Sequence, residues 1–298
     1  IYRSLRDKLG LLKLKFALTG GAAISPDIIK FFRGLGINFK QAYGSTEVGC
    51  MATGHIADED VKPETVGIPA KGTDIRIADD GEILLTGVGL FKGYYNNPEA
   101  TREKVRNGWF YTGDFGYFRE DGHLIFIDRM GDMRELSSGQ KFSPGYCETR
   151  LRFSPYVKDV LVFGNDKSDY VTAIVSIDIG NVGRWAERNH VAYTTYTDLS
   201  QKPSVLELVA KEMEKVNTNL PTHARIKRFV NLHKEFDPDE AELTRTRKLR
   251  RTFVEERFSD IIEGMYQGRS EINVETPIIY QDGARGVLKT SLKVYSFD

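Results

Sequence analysis

Four short runs of this chain carry residue types that could handle an anionic substrate. The first, "QAYGSTEVG" from Gln41 to Gly49, sets an aromatic ring, a glycine, hydroxyls and a carboxylate in succession. With Gln41, Ala42 and Gly44 completing a floor at the end of a strand, Tyr43 could stack on a base and Thr46 could bond a phosphate oxygen. Glu47 could hold Mg2+, a hard cation that takes oxygen ligands. The same run also reads as a loop of turn formers. The second, "YTGDFGYF", brackets Asp114 with glycines. It reads as a turn whose carboxylate accepts from a pair of ribose hydroxyls, or only from its own backbone. In the third, "IFIDRMGDM", Arg129 follows a strand; its guanidinium suits ribose or phosphate, or a surface ion pair with Asp128 or Asp132. The fourth, "TRTRKLRR" from Thr244 to Arg251, reads as a polyanion patch, a solvated helix start, or a loop presenting one lysine.

Alternating elements must position these runs. "LKFAL" predicts a strand, "TGGAAI" a glycine-rich turn, and "SPDIIKFFRGLG" a helix with Ser25 as N-cap and Pro26 at N1. "INFKQAYG" predicts the next strand, completing part of an α/β layer in which ligands gather at strand C-terminal ends. From about Pro63 the pattern becomes short strands with glycine turns. "TDIRIADDGEILLTG" is a hairpin, "NNPEATREKV" a short helix capped by Asn97, and "GWFYTGDFGYFREDGHLIFIDRM" a strand pair turning at Glu120-Asp121-Gly122. Together these predict a small barrel-like β module. After Arg129, "DVLVFG" and "VTAIVSID" read as buried strands. Ser204 with Glu207 predicts a capping box, and "TFVEERFSDIIEGM" predicts an amphipathic helix, so this last module reads as α+β.

The 298 residues balance 42 basic against 42 acidic side chains, so no global field draws the chain to nucleic acid. Cys50 and Cys147 lie far apart without metal spacing and read as free thiols of a reducing cytoplasm. No run approaches the roughly 20 apolar residues of a membrane span.

Taken in order, "TGGAAI", "QAYGSTEVG", "GEILLTGVGLFKGYYNNPEAT", "GWFYTGDFGYFREDGHLIFIDR" and "LTRTRKLRR" resemble the AMP-forming adenylating enzymes, a superfamily of acyl-CoA synthetases, luciferases and peptide-synthetase adenylation domains. "NVGRWAERN" and "FDPDEAELTRTRKLRR" are similar to its long-chain acyl-CoA synthetase branch. The resemblance implies an α/β and α+β multidomain fold: part of a large α/β domain over 1–62, a β-barrel-like subdomain over 63–129, and a mobile α+β lid over 130–298 hinged near 129–132. It implies a ligase that joins a fatty acid to ATP as acyl-AMP, then passes the acyl group to coenzyme A. Gly20, Gly21 and Ala22 would contact adenine, Tyr43 would stack on it, and Phe126 would form the other wall of the slot. Thr46 would touch phosphate, Glu47 would approach Mg2+, and Asp114 and Arg129 would hold the ribose. Lys248 would supply the catalytic charge, with Thr244 and Thr246 beside it. Arg250 and Arg251 would start the following helix, Arg251 pairing with Glu255 at i+4. Gly131 would serve a pivot, unless its turn alone requires glycine, and Gly139 would line the pantetheine tunnel.

The family's Ser/Thr/Gly-rich phosphate loop is not found in these residues. The expectation is therefore a C-terminal portion that makes no acyl-AMP by itself, which fatty-acid-dependent ATP–pyrophosphate exchange by the purified chain would refute. Two other readings stay open: transfer to a carrier-protein thiol, and a silent AMP-binding or interaction fragment. Long-chain substrates partition into membranes, which leaves room for peripheral membrane association.

Overall fold

The computed structural model describes residues 2–21, 24–237, 242, 250–279 and 285–297. The chain divides into two compact units, Ile1–Met133 and Arg134–Asp298.

In the first unit, helix α1 (Tyr2–Lys8) precedes strand β1 (Ala17–Thr19), helix α2 (Pro26–Gly34) and strand β2 (Phe39–Tyr43). Ser25 caps α2 by accepting from the Asp27 amide at 3.4 Å, and Pro26 follows it, as the sequence predicts. Strands β1 and β2 are parallel, with Thr19 opposite Gln41, so both strand ends deliver their loops to the same edge. Strands β3 (Thr53–Gly54) and β4 (Ile68–Pro69) complete this sheet in the order β1-β2-β3-β4. The second sheet contains β5 (Thr73–Ile77), β6 (Glu82–Gly87), β7 (Val105–Arg106), β8 (Trp109–Phe118) and β9 (Leu124–Arg129), with α3 (Pro98–Lys104) between β6 and β7. Its order is β5-β6-β8-β7, with β9 on β8, and every pairing is antiparallel. These pairings form an open sheet; no described pairing closes a barrel. Tyr43, Val48 and Ala52 share one buried cluster with Ile83, Leu85, Phe110 and Leu124, so residues on either side of Pro63 pack into a common core.

The second unit opens with the two-stranded ribbon β10 (Arg134–Glu135) and β11 (Lys141–Phe142), then helix α4 (Pro144–Leu151). Its main sheet has the order β12 (Val157–Phe163), β13 (Val171–Ile177), β14 (Ile226–Asn231), β16 (Arg285–Ser296), β15 (Glu271–Ile279). Helices α5 (Ile179–Arg188), α6 (Tyr196–Ser200) and α7 (Pro203–Asn217) lie between β13 and β14, and α8 (Arg251–Arg257) and α9 (Ser259–Tyr266) precede β15. Val160 and Val162 of β12 belong to one core with α4 and α7, whereas Leu161 and Phe163 belong to another with α8 and α9. Both faces of the sheet are thus covered. That is why "DVLVFG" is apolar throughout instead of alternating.

Two helix expectations change. Pro203, not Ser204, opens α7, whose N-cap Lys202 makes no side-chain cap, so the expected capping box does not form. The single helix expected over "TFVEERFSDIIEGM" is two, broken at Phe258, although Val254, Phe258, Ile261 and Met265 are buried in one cluster. Neither cysteine is in a disulfide; Cys50 is exposed and Cys147 buried. Among the described residues no helix is long and apolar enough to cross a membrane.

Candidate nucleotide site

Gly21, Gln41, Ala42, Tyr43, Gly44, Asp114, Phe126 and Arg129 line one pocket of the first unit, and Val66 is its remaining wall. All but Val66 were singled out from sequence. Two turns and the three strands β2, β8 and β9 bring them together. The turn after β1 supplies Gly20 and Gly21; a side chain on Gly20 would crowd the Ala42 carbonyl at 3.1 Å. The C-terminal half of β2 supplies Gln41 to Tyr43. Gly44 then turns so tightly that an added Cβ would lie 2.5 Å from the Cys50 carbonyl oxygen and 2.7 Å from the Ala52 nitrogen. Both are backbone atoms that cannot swing aside. Gly44→Ala is therefore expected to destabilise the first unit by about 1–3 kcal/mol, measured by urea unfolding.

Asp114 does not occupy a turn, as its bracketing glycines suggested. It sits within β8, directly opposite Arg129 at the end of β9. Gly113, at φ 75°, and the register shift near Gly116 bend the strand without ending it. Cross-strand pairing sets Arg129 Nη1 3.0 Å from Asp114 Oδ1, while the Tyr43 hydroxyl donates to Oδ2 at 2.6 Å. The ion-pair contact is not an aligned hydrogen bond, so the buried Oδ1 has no directed donor. Burial raises the Asp114 carboxyl above the usual aspartate range, against the opposing pull of the Tyr43 hydrogen bond and the Arg129 charge. Tyr43 is driven well above the usual phenol range, by burial first and then by Asp114, and so remains a donor.

The Tyr43 and Phe126 rings stack directly on one another, with centroids 5.5 Å apart and planes inclined by 25°. A base between two rings would need twice the stacking separation. Phe126 therefore backs Tyr43 and does not face it across a slot; the two rings form a single aromatic wall.

Thr46 and Glu47 lie just beyond the pocket on a 3-10 turn, Thr46–Val48. Glu47 Oε1 accepts from the Tyr94 hydroxyl at 2.8 Å. Burial alone would raise the Glu47 carboxyl, but the bonds from Tyr94, its own backbone and Ser45 outweigh it and hold the group low. Tyr94 is correspondingly pushed up to about 12 by burial and by the Glu47 bond and charge. No group of three or more metal-ligating side chains occurs among the described residues. A single ionised carboxylate still fits Mg2+, which usually keeps waters and substrate phosphates as its other ligands.

Sequence reasoning missed Thr112 and Tyr94. Thr112 Oγ1 donates to the Ile83 carbonyl at 2.7 Å and accepts from the Asp114 amide at 3.0 Å, which fixes the strand at the pocket. Its spacing two residues before Asp114 was a usable signal; Tyr94, remote in sequence from Glu47, offered none.

In the second unit, Gly139 (φ 76°) sits in the turn of the β10–β11 ribbon, its amide bonded to the Leu136 carbonyl at 2.8 Å. Ala22 and Lys248 lie outside the described residues. The segment holding Lys248 is bracketed by Glu242 and Arg250, whose backbones join through Arg250 N–H to Glu242 O at 2.9 Å. The Glu242 side chain is fully buried and held by Lys234 at 2.8 and 2.9 Å and by Arg257 at 3.2 Å. Arg251 does start α8 and reaches Glu255 at 3.9 Å, but its tighter partner is the buried Glu148 of α4.

A family model described as "AMP-binding enzyme" matches residues 3–95, and one described as "AMP-binding enzyme C-terminal domain" matches residues 132–270. The long-chain-fatty-acid–CoA ligase FadD15 of Mycobacterium bovis is 34% identical over 268 residues, covering 89% of this chain and 44% of the relative. Long chain acyl-CoA synthetase 1 of Arabidopsis thaliana is 32% identical over 284 residues, covering 89% and 42%. This chain thus spans less than half the length of these relatives. Among solved structures, apo MatB from Rhodopseudomonas palustris superposes with a TM-score of 0.60 at 23% identity, over 86% of this chain and 47% of that one. The A domain of a carboxylic acid reductase from Segniliparus rugosus, solved with AMP and a co-purified carboxylic acid, gives 0.57 at 20% identity, over 90% and 44%. These two likenesses concern the fold. With both family models and the sequence relatives in agreement, the chain belongs to the AMP-binding, adenylating enzyme family and groups there with the long-chain acyl-CoA synthetases.

Proposed function

We propose that the chain supplies the adenosine wall, the metal carboxylate and the lid lysine of a ligase that activates a long-chain fatty acid with ATP and transfers it to coenzyme A. The observation that carries this reading is Asp114 Oδ1: a buried carboxylate oxygen without a directed donor, lining a pocket beside an aromatic wall. A ribose hydroxyl is the donor it lacks, and Arg129 keeps the carboxylate charged to receive it. Tyr43 and Phe126 offer adenine a flat face, with the Gly20-Gly21-Ala22 turn and Gln41, Ala42 and Gly44 at its edge.

The first half-reaction brings a fatty carboxylate to the α-phosphate, so two anions must be held together. Glu47 would hold Mg2+, which when bound neutralises phosphate charge. Thr46 would steady a phosphate oxygen, and Lys248 would meet the charge developing between the reactants. For thioester formation the lid would turn about residues 129–132. Gly131 supports a pivot there, since neither a left-handed φ nor any atom within 4 Å of an added Cβ demands glycine at that position. Gly139 would then border the pantetheine arm. A cytoplasmic enzyme with peripheral membrane contact fits such substrates.

Calorimetric titration of the chain with AMP tests the site. Asp114→Asn is expected to weaken AMP about tenfold. Acid has a matching effect. Because the Asp114 carboxyl is raised, it protonates as pH falls while ordinary aspartates are still ionised. Wild-type affinity should drop in that window, and the Asn variant should give a flat profile. Absence of AMP binding, or equal binding by the variant, ends this reading. Coenzyme A against a carrier-protein thiol, assayed with the complete enzyme, identifies the acceptor.

A further inference from the structure

The run "LFKGYYNNPEAT" fills no wall of the nucleotide pocket, yet it closes on the one carboxylate proposed for the metal. The Phe91 amide donates to the Glu47 carbonyl at 2.7 Å, and the Tyr94 hydroxyl donates to Glu47 Oε1 at 2.8 Å. One short loop thus grips both the backbone and the side chain of Glu47. The grip is itself braced. The Tyr94 ring meets Phe91 edge-on at 4.9 Å, and Phe91 meets the buried Phe110 of β8 at 5.9 Å. The Tyr94 amide donates to Thr101 Oγ1 of α3 at 2.9 Å. Gly93, at φ 147°, lets that helix approach; a Cβ there would lie 2.9 Å from Thr101 Cγ2.

The geometry assigns Tyr94 as a positioning residue for Glu47: its hydroxyl orients the carboxylate that is to bind a divalent cation. This rests on the adenylating reading, and specifically on Glu47 as metal ligand. A ligating carboxylate that is hydrogen-bonded from behind keeps its orientation through metal exchange, and loss of such a partner commonly weakens the metal 10–100-fold. The hydroxyl adds nothing to the packing on Phe91, which phenylalanine would preserve.

The test uses the full chain with ATP present and Mn2+ as probe, free Mn2+ being read by electron paramagnetic resonance. Tyr94→Phe should weaken Mn2+ about tenfold, while Tyr95→Phe, at a side chain 93% exposed, should not. In a Glu47→Gln background the Tyr94→Phe change should have no further effect. A merely structural tyrosine would weaken binding equally in both backgrounds, and that result overturns the assignment. So does equal Mn2+ affinity of wild type and Tyr94→Phe. A wild-type chain that binds AMP but holds no Mn2+ removes Glu47 as ligand and the inference with it. A chain that binds no nucleotide fails at the earlier step, which separates the two outcomes.

Discussion

Arg251→Ala is expected to destabilise the chain by about 3–5 kcal/mol in urea unfolding near neutral pH, the loss typical when one partner of a buried ion pair is removed. Arg251 Nη2 pairs with Glu148 Oε1, and its Nη1 donates to the Val162 carbonyl at 2.9 Å. Glu148 Oε1 also accepts from the Val162 amide at 2.9 Å, so one pair ties α4, β12 and α8 together. Burial lifts the Glu148 carboxyl above its ordinary 4.5, and the Arg251 charge is the first influence opposing it. A carboxyl raised in the folded state contributes stability that is fully present below 4.5 and is lost as pH rises through the folded value. Without Arg251 that loss deepens. The deficit of the alanine variant should therefore narrow in acid and widen toward alkaline pH. The double variant Glu148→Leu/Arg251→Met, which removes both charges, should regain much of it. A deficit independent of pH would contradict this view of the pair.

Lys248→Ala in the complete enzyme is expected to cut acyl-AMP formation about 10²–10³-fold, the range seen when one preorganised group facing transition-state charge is lost. Thioester formation from supplied acyl-AMP should slow far less, because the carboxylate and the α-phosphate no longer have to be brought together there. A lysine suits this position because its compact ammonium can touch oxygens of both reactants, whereas the guanidinium fork of Arg247 is shaped for planar pairs. Equal loss in both half-reactions would remove the assignment. The same charge run is therefore expected to divide between two roles. Arg251 holds the fold, and Lys248 is read as chemistry.

Much of the pocket was legible because its residues come in contiguous runs at strand ends, where local chemistry and position coincide. Ser25 with Pro26 and Asn97 with Pro98 announced their helices by capping, which depends only on neighbouring residues. What failed depended on partners distant in sequence. Asp114 looked like a turn residue because glycines flank it, but pairing with β9 keeps it in a strand. Phe126 was placed across a slot from Tyr43; only the register of β8 against β9 and the packing of β2 reveal the stack. Arg251 had an i+4 partner in view, and the stronger one, Glu148, lies far earlier in the chain. Tyr94 belongs to the same class.

The backbone bond between Glu242 and Arg250 joins two points of the chain directly, and the Glu242 carboxylate ties that junction to Lys234, just after β14, and to Arg257 of α8. Closure entropy grows only logarithmically with length, so one residue more or less in that span costs the fold on the order of 0.1 kcal/mol. One residue of extended chain spans up to about 3.5 Å, more than a hydrogen bond can absorb. Folding is nearly indifferent to the number of residues between Glu242 and Arg250; the role proposed for Lys248 would not be.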